Sequence, residues 1–228
     1  MTWQQHNNGH RWRLRSDGRI EVESEGIPRT EGRPLTMATL MQDYGVAICH
    51  AADVFDIEPA IIAAMIAKES VREAPDWWRM DPTSFRREPS GLKSGGLMQT
   101  LLKTARSMNK KYELFVDVQQ DNSGHVSTIP RTLEMQDLLV PDRSIMLGTA
   151  YLRHLADHDG RRWDAAAGAD PVLLCAAYNA GGVYTTERNR WRLRTYGTSR
   201  IDGFIEYHND FYALPKPLRQ PVGLDCHN

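Results

Sequence analysis

The sequence predicts a mainly α, α+β fold: a helical lobe around one central buried helix, with small β-hairpin excursions. Three observations carry this. The stretch Asp56–Ser70 is apolar on every side of a helical wheel, a pattern that belongs in the middle of a fold. Helix start signals recur along the chain, at Asp56 to Pro59, at Asp142 and at Asp170-Pro171. Strand-like alternation with a hairpin turn is confined to two short stretches, around Ser16-Asp17-Gly18 and around Asp121-Asn122-Ser123-Gly124.

Taken in order, Trp12 to Glu23 alternates on both sides of Ser16-Asp17-Gly18 and reads as a hairpin. Gly26, Pro28, Gly32 and Pro34 then punctuate a linker, so residues 1–35 form an N-terminal hairpin and linker extension and residues 36–228 the main domain. The hairpin either packs on the main body or serves as a docking element. Thr36 to about Phe55 is an amphipathic helix. In the next helix Asp56 reads as the N-cap, Glu58 suits the positive end of the dipole, and Pro59 is early enough to be tolerated. Val71 to Pro89 is a polar loop carrying Asp76, Trp77, Trp78 and Asp81, too long for a simple connection. Leu101–Tyr112 is helical, Phe115–Ile129 is the second hairpin, and Asp142 starts a helix that runs to about His158 and stops at Gly160. Further helices begin at Asp170-Pro171 and span roughly Ile201 to Leu214.

Composition narrows the function classes. A net charge of −1 and a sequence pI near 6.7 give no basic surface for nucleic acid or an anionic membrane. The longest apolar run, Ala60–Ala67, is too short for membrane insertion. Met1 to Arg15 has no apolar core and no small-residue cleavage site, so the expectation is a protein made in the cytoplasm without a signal peptide. Cys49 and Cys175 lie in apolar helical runs and read as buried thiols, with no disulfide framework and no metal spacing among Cys49, Cys175 and Cys226. His154 and His158 are four apart on a helix, yet without a third ligand motif they read as a solvated helix end, so no metal and no cofactor is expected. Trp77-Trp78 is equally a sugar-stacking platform or an anchor for the long loop. Arg188, Arg190, Arg192 and Arg194 alternate through Trp191 and read as a solvated face.

The chemistry concentrates in three segments. Glu69, followed by Ser70, leaves a buried helix at its negative end, where desolvation and the dipole both favour a neutral acid. Ser94-Gly95-Gly96-Leu97-Met98-Gln99-Thr100 is a glycine-rich turn with an apolar step and an amide. Ala176-Ala177-Tyr178-Asn179-Ala180-Gly181-Gly182 is an apolar helix ending on a tyrosine, an asparagine and two glycines. Each is weak alone. In this order and separation, together with Leu139 to Arg153, they resemble the lytic transglycosylases of the soluble Slt type, relatives of goose-type lysozyme, over about residues 40–183.

That resemblance implies a lysozyme-like fold and a specific site. Glu69 falls on the family's single catalytic acid/base. Gly96, Met98 and Gln99 fall on its glycine-leucine-methionine-glutamine turn, with Gln99 as a ligand for an N-acetyl or hydroxyl group. Ser90 falls on a substrate-contacting serine, and Tyr178 and Asn179 on the pair lining the cleft beside the acid. The implied reaction cleaves the β-1,4 bond between N-acetylmuramic acid and N-acetylglucosamine in peptidoglycan, with formation of a 1,6-anhydro sugar. The alternatives are a goose-type lysozyme that hydrolyses the same bond with water, and a non-catalytic glycan-binding or structural component. Pro89 to Lys111 holds no carboxylate to position a water, which favours the transglycosylase, while Glu73, Asp76, Asp81 and Glu88 in the long loop are the acids that would hold a water in the lysozyme alternative. The implied partners are peptidoglycan glycan strands, with no nucleic acid, and either an immunity or inhibitor protein or a component of a virion or secretion machine. The implied place of action is the cell wall, reached after lysis, virion delivery or signal-independent secretion. This sequence departs from the family pattern in its longer loop after Glu69, in Leu101-Leu102 where a proline usually follows the turn, and in Ser144 for the common asparagine.

Overall fold

The computed structural model describes residues 2–5, 11–30, 34–73, 78–80, 82–83, 85–87, 92–157, 168–184, 193 and 203–220. Elements are numbered over these residues. Helices α1 (Pro34–Phe55) and α2 (Pro59–Ser70) start the body. Along α1, Met37, Leu40, Met41, Ile48, Ala51, Ala52 and Phe55 are buried at three- and four-residue steps, the stripe expected of a helix on a core. In α2 every residue from Pro59 to Ala67 is buried. Each buried Ile or Met there contributes about 1.5–3 kcal/mol.

The junction between the two helices differs from the sequence expectation. Asp56 does not cap α2. It adopts a left-handed conformation with φ of 50°, and the N–H of Ile57 returns to the Ala52 carbonyl at 3.2 Å, which ends α1. Arg153 donates to the Asp56 carbonyl at 3.2 Å. The second helix then begins at Pro59, whose missing N–H is one that a helix start leaves unpaired anyway.

The N-terminal residues form an antiparallel sheet of β1 (Gln4–Gln5), β2 (Arg11–Leu14) and β3 (Ile20–Val22). The register pairs Trp12 with Val22 and Leu14 with Ile20. Trp12, Ile20 and Val22 point inward and are buried in the same apolar cluster as α1 and α2. Three side chains tie this sheet and the segment after it to the helices. Asn209 accepts from the Ile20 N–H at 2.8 Å and donates to the Ile20 and Pro28 carbonyls at 2.9 and 2.8 Å. Asp210, buried, pairs with Arg29 at 2.8 Å and accepts from Thr30. The Trp12 indole N–H donates to the Asp170 carboxylate at 3.0 Å.

The segment read as a polar loop from Val71 contains paired strands. Strands β4 (Val71–Glu73) and β5 (Trp78–Met80) form one hairpin. Strands β6 (Phe85–Arg87), β7 (Lys93–Gly95) and β8 (Thr100–Leu101) form a second sheet in that order. None exceeds three residues, too short for a period-two pattern to stand out. Helix α3 (Leu102–Tyr112) leads to the hairpin β9 (Val116–Gln120) and β10 (Val126–Pro130), which is exposed along nearly its whole length. Asn109 holds its base, accepting from the Phe115 N–H at 2.8 Å and donating to the Phe115 and Arg131 carbonyls at 3.1 and 2.9 Å.

A single turn α4 (Met135–Leu138) precedes α5 (Pro141–Asp157). Helix α6 (Pro171–Ala180) is capped by Asp170, which accepts from the N–H groups of Val172 and Leu173. Helices α7 (Phe204–Ala213) and α8 (Lys216–Arg219) close the described chain. Helix α2 packs against α1, α6 and α7, so it lies at the centre of a mainly helical α+β fold. Among the described residues no helix is long and apolar enough to cross a membrane, and no cluster of potential ligands could hold a metal ion. Cys175 is a buried free thiol, but Cys49 is disulfide-bonded to a partner outside the described residues, which corrects the expectation of two thiols. His158, Gly160, Trp77, Trp191, Cys226 and the alternating arginines Arg188 to Arg194 also lie outside them.

His208 of α7 is fully buried between the rings of Phe204 and Tyr212, and neither ring nitrogen has a hydrogen-bond partner. Burial pushes its imidazole down to about 3 from an ordinary 6.5. The folded state therefore refuses a proton that the unfolded chain accepts. The contribution is fully present above about pH 6.5 and is lost as pH falls toward about 3. His208→Phe is expected to flatten the decline of stability between about pH 6 and pH 4 by ~1.4 kcal/mol per pH unit. Calorimetric melts across that range check it, and an unchanged acid slope refutes it.

Candidate active site

Because residues 59–67 of α2 are packed on all sides, only its end can open to a cleft. Glu69 stands there with its side chain 13% exposed. Lys68 donates to Glu69 Oε1 at 3.2 Å, and Arg86 of β6 lies 3.8 Å from Oε2. A second Arg86 nitrogen donates to the Glu69 main-chain carbonyl at 3.0 Å, satisfying an acceptor that the helix end leaves open. The sequence argument counted burial and the helix end; the two cations enter only through the tertiary structure.

The glycine turn lies against this end. Ser70 Oγ donates to the Leu97 carbonyl, so the residue after the acid fastens the turn directly. Gly96 has φ of +75°, and a Cβ on it would sit 1.9 Å from the Leu138 carbonyl oxygen and 2.4 Å from Ser144 Oγ. Met98 is fully buried against Gly148, where an added Cβ would come within 2.5 Å of its sulfur. Its backbone N–H donates to Ser144 Oγ at 3.3 Å. Gln99 is left-handed at φ of 46°, an uncommon state for a residue with a side chain. Its amide folds back into the turn, donating to the Gly96 carbonyl at 2.9 Å and accepting from Ser94 Oγ at 3.3 Å. Each end of that amide thus makes one hydrogen bond within the turn.

Helix α6 brings in the third segment. The Tyr178 hydroxyl donates to the Met98 carbonyl at 2.9 Å and lies 2.9 Å from Thr100 Oγ1. A tyrosine carries one hydroxyl proton, so with that proton on Met98 the Thr100 hydroxyl is the donor to Tyr178. Asn179 donates to the Cys175 carbonyl one turn back at 3.0 Å, and Gly181 ends the helix in the left-handed region. Tyr151 of α5 tilts against Tyr178 with ring centroids 5.2 Å apart. Burial pushes both phenols above their ordinary range, so they remain protonated donors. Burial likewise pushes the Cys175 thiol up to about 11, which leaves it a thiol at neutral pH.

The structure therefore brings the segments of Glu69, the Gly96–Gln99 turn and Tyr178 to one helix end: Ser70, next to Glu69, bonds the Leu97 carbonyl and Tyr178 bonds the Met98 carbonyl, with Asn179 adjoining, while Ser90 lies outside the described residues. Lys68, Arg86, Thr100 and Ser144 were not singled out for the roles they hold here. Lys68 could have been noticed as the neighbour of the acid. Nothing in the local pattern signals the other three, whose partners are distant in sequence.

The family described as the transglycosylase SLT domain matches residues 47–200, which include Glu69, the turn and the Tyr178-Asn179 pair. The chain belongs to the transglycosylase SLT family. Among solved structures, the 70 kDa soluble lytic transglycosylase Slt70 from Escherichia coli is similar with a TM-score of 0.45 and 20% identity, over 74% of this chain and 24% of that one. An inactive mutant of the lytic transglycosylase Slt from Pseudomonas aeruginosa gives 0.47 and 22%, over 77% and 25%. The SLT chain described here thus spans about a quarter of the length of those two proteins. No curated protein sequence matches it.

Gly96→Ala is expected to lower stability by about 3 kcal/mol or more, because both the backbone state and the Leu138 carbonyl oppose a side chain. Gly26→Ala is the control: its φ is also positive, at +73°, but nothing lies within 4 Å. Its cost is expected to stay near about 1 kcal/mol. Paired thermal melts check the difference, and equal losses would remove the steric argument.

Proposed function

We propose that this SLT-family chain cleaves the β-1,4 bond between N-acetylmuramic acid and N-acetylglucosamine in peptidoglycan and leaves a 1,6-anhydro-muramyl end. The reading is supported by one observation: Glu69 stands at the end of an otherwise buried helix, and Ser70 beside it bonds the Gly96–Gln99 turn on which Tyr178 also rests. Residues 36–228 form the catalytic unit in this reading, with residues 1–35 as an extension of it.

Glu69 protonates the departing glycosidic oxygen in the first half of the reaction. The sugar's own N-acetyl group supports the positive charge that develops. In the second half the carboxylate takes the proton of the sugar's 6-hydroxyl, whose oxygen closes the anhydro ring. That hydroxyl is tethered to the reacting carbon, so it competes well against water and needs no second carboxylate to position it. The absence of any acid between Pro89 and Lys111 suits this route. Tyr178 and the buried Met98 close one wall against water, and Gln99 is anchored in the turn. Gln99, Asn179 and Ser90 are assigned to substrate contact. The substrate places the site of action in the cell wall.

Glu69→Gln keeps the shape and removes the proton exchange. It is expected to lose about 10²–10⁴-fold in rate on purified sacculi while melting within a few degrees of wild type. Mass spectrometry of the digests reads the chemistry. Anhydro-muramyl products from wild type support the proposal; reducing-end muramic acid alone points to hydrolysis and refutes it.

A further inference from the structure

Lys68 has a place that ordinary helix geometry does not supply. Neighbours in a helix point about 100° apart and do not face each other. Yet Lys68 Nζ reaches Glu69 Oε1 at 3.2 Å, and the two side chains are 12% and 13% exposed. Both bend into the same recess. Lysine is rarely buried without a partner, and Glu69 is the partner here. Arg86 plays a different part. It is anchored to the Glu69 main-chain carbonyl at 3.0 Å and stands 3.8 Å from Oε2, beyond hydrogen-bond reach. One carboxylate oxygen is thus held by an ammonium, and the other is left to exchange a proton.

A one-carboxylate mechanism makes this arrangement consequential. After the first proton transfer Glu69 is an anion in a nearly closed recess, and such a charge is costly unless paired and hydrogen-bonded. We infer that Lys68 is a positioning residue: it holds Glu69 Oε1, pairs with the carboxylate between the two half-reactions, and leaves Oε2 as the oxygen that donates and recovers the proton. The inference rests on the proposed reaction of Glu69. The titratable and charged groups that face or sense Glu69 are Lys68 on its own helix, Arg86 from β6, and Tyr178 and Cys175 from α6. Of these only Lys68 hydrogen-bonds the carboxylate among the described residues.

The test compares Lys68→Met, Lys68→Gln and Lys68→Arg with wild type on purified sacculi, after melts have selected the variants that fold. Removing the cation without its volume is expected to lower kcat about tenfold or more while KM stays within about twofold. Lys68→Arg, which keeps the charge, is expected to recover most of kcat. The inference is overturned if Lys68→Met and Lys68→Gln match wild type in kcat. It is also overturned if Lys68→Arg is as impaired as they are, or if the whole loss falls in KM. Wild type that forms no anhydro sugar would instead sink the proposed reaction, and this role with it; an active wild type with unaffected Lys68 variants sinks this role alone.

Discussion

A helix packed on every side can present only its ends to solvent. That constraint governs this molecule. Residues 59–67 of α2 have no exposed face, since α1, α6 and α7 close around them, and the polar residues that follow are delivered to one point. The apolar contacts supply the stability; the functional group appears where they stop. The same logic explains why the junction with α1 turns sharply at Asp56, whose left-handed backbone reverses the chain in few residues.

Three distant segments converge on that point largely through main-chain acceptors. Ser70 reaches the Leu97 carbonyl, Tyr178 the Met98 carbonyl and Arg86 the Glu69 carbonyl. Carbonyl groups in turns and at helix ends lack partners of their own, so each contact satisfies a buried acceptor while it fixes a neighbour. The glycine turn is accordingly rigid: Gly96 lies under Leu138 and Ser144, and Met98 plugs the space that Gly148 leaves open. A cleft wall built this way keeps its shape before any sugar arrives, which lowers the ordering cost of binding.

The N-terminal sheet supports the site indirectly. Trp12 donates to Asp170, the residue that caps α6, and α6 carries Tyr178 and Asn179. Asn209 stitches Ile20 and Pro28 to α7, which packs on α2. Trp12, Ile20 and Val22 therefore share the apolar cluster of the helices, and their burial couples the sheet to the segments around Glu69.

Much of the architecture was legible in the sequence because its signals are local. Amphipathic spacing gave α1, all-round apolarity marked α2 as central, Asp170-Pro171 marked the start of α6, and the Asn-Ser-Gly turn marked the exposed hairpin β9–β10. Glu69, the Gly96–Gln99 turn and Tyr178-Asn179 were recognisable as sequence motifs for the same reason. What required the tertiary structure was every feature that depends on a partner far along the chain. The strands after Val71 are too short to declare themselves until they pair, and Asp56 reads as a cap until the geometry of two packed helices makes it a reversal. The sequence by itself determined the central helix and the motifs, because their signals are local; only the tertiary structure decided that Arg86, Thr100 and Ser144 hold them, because those partners lie far along the chain.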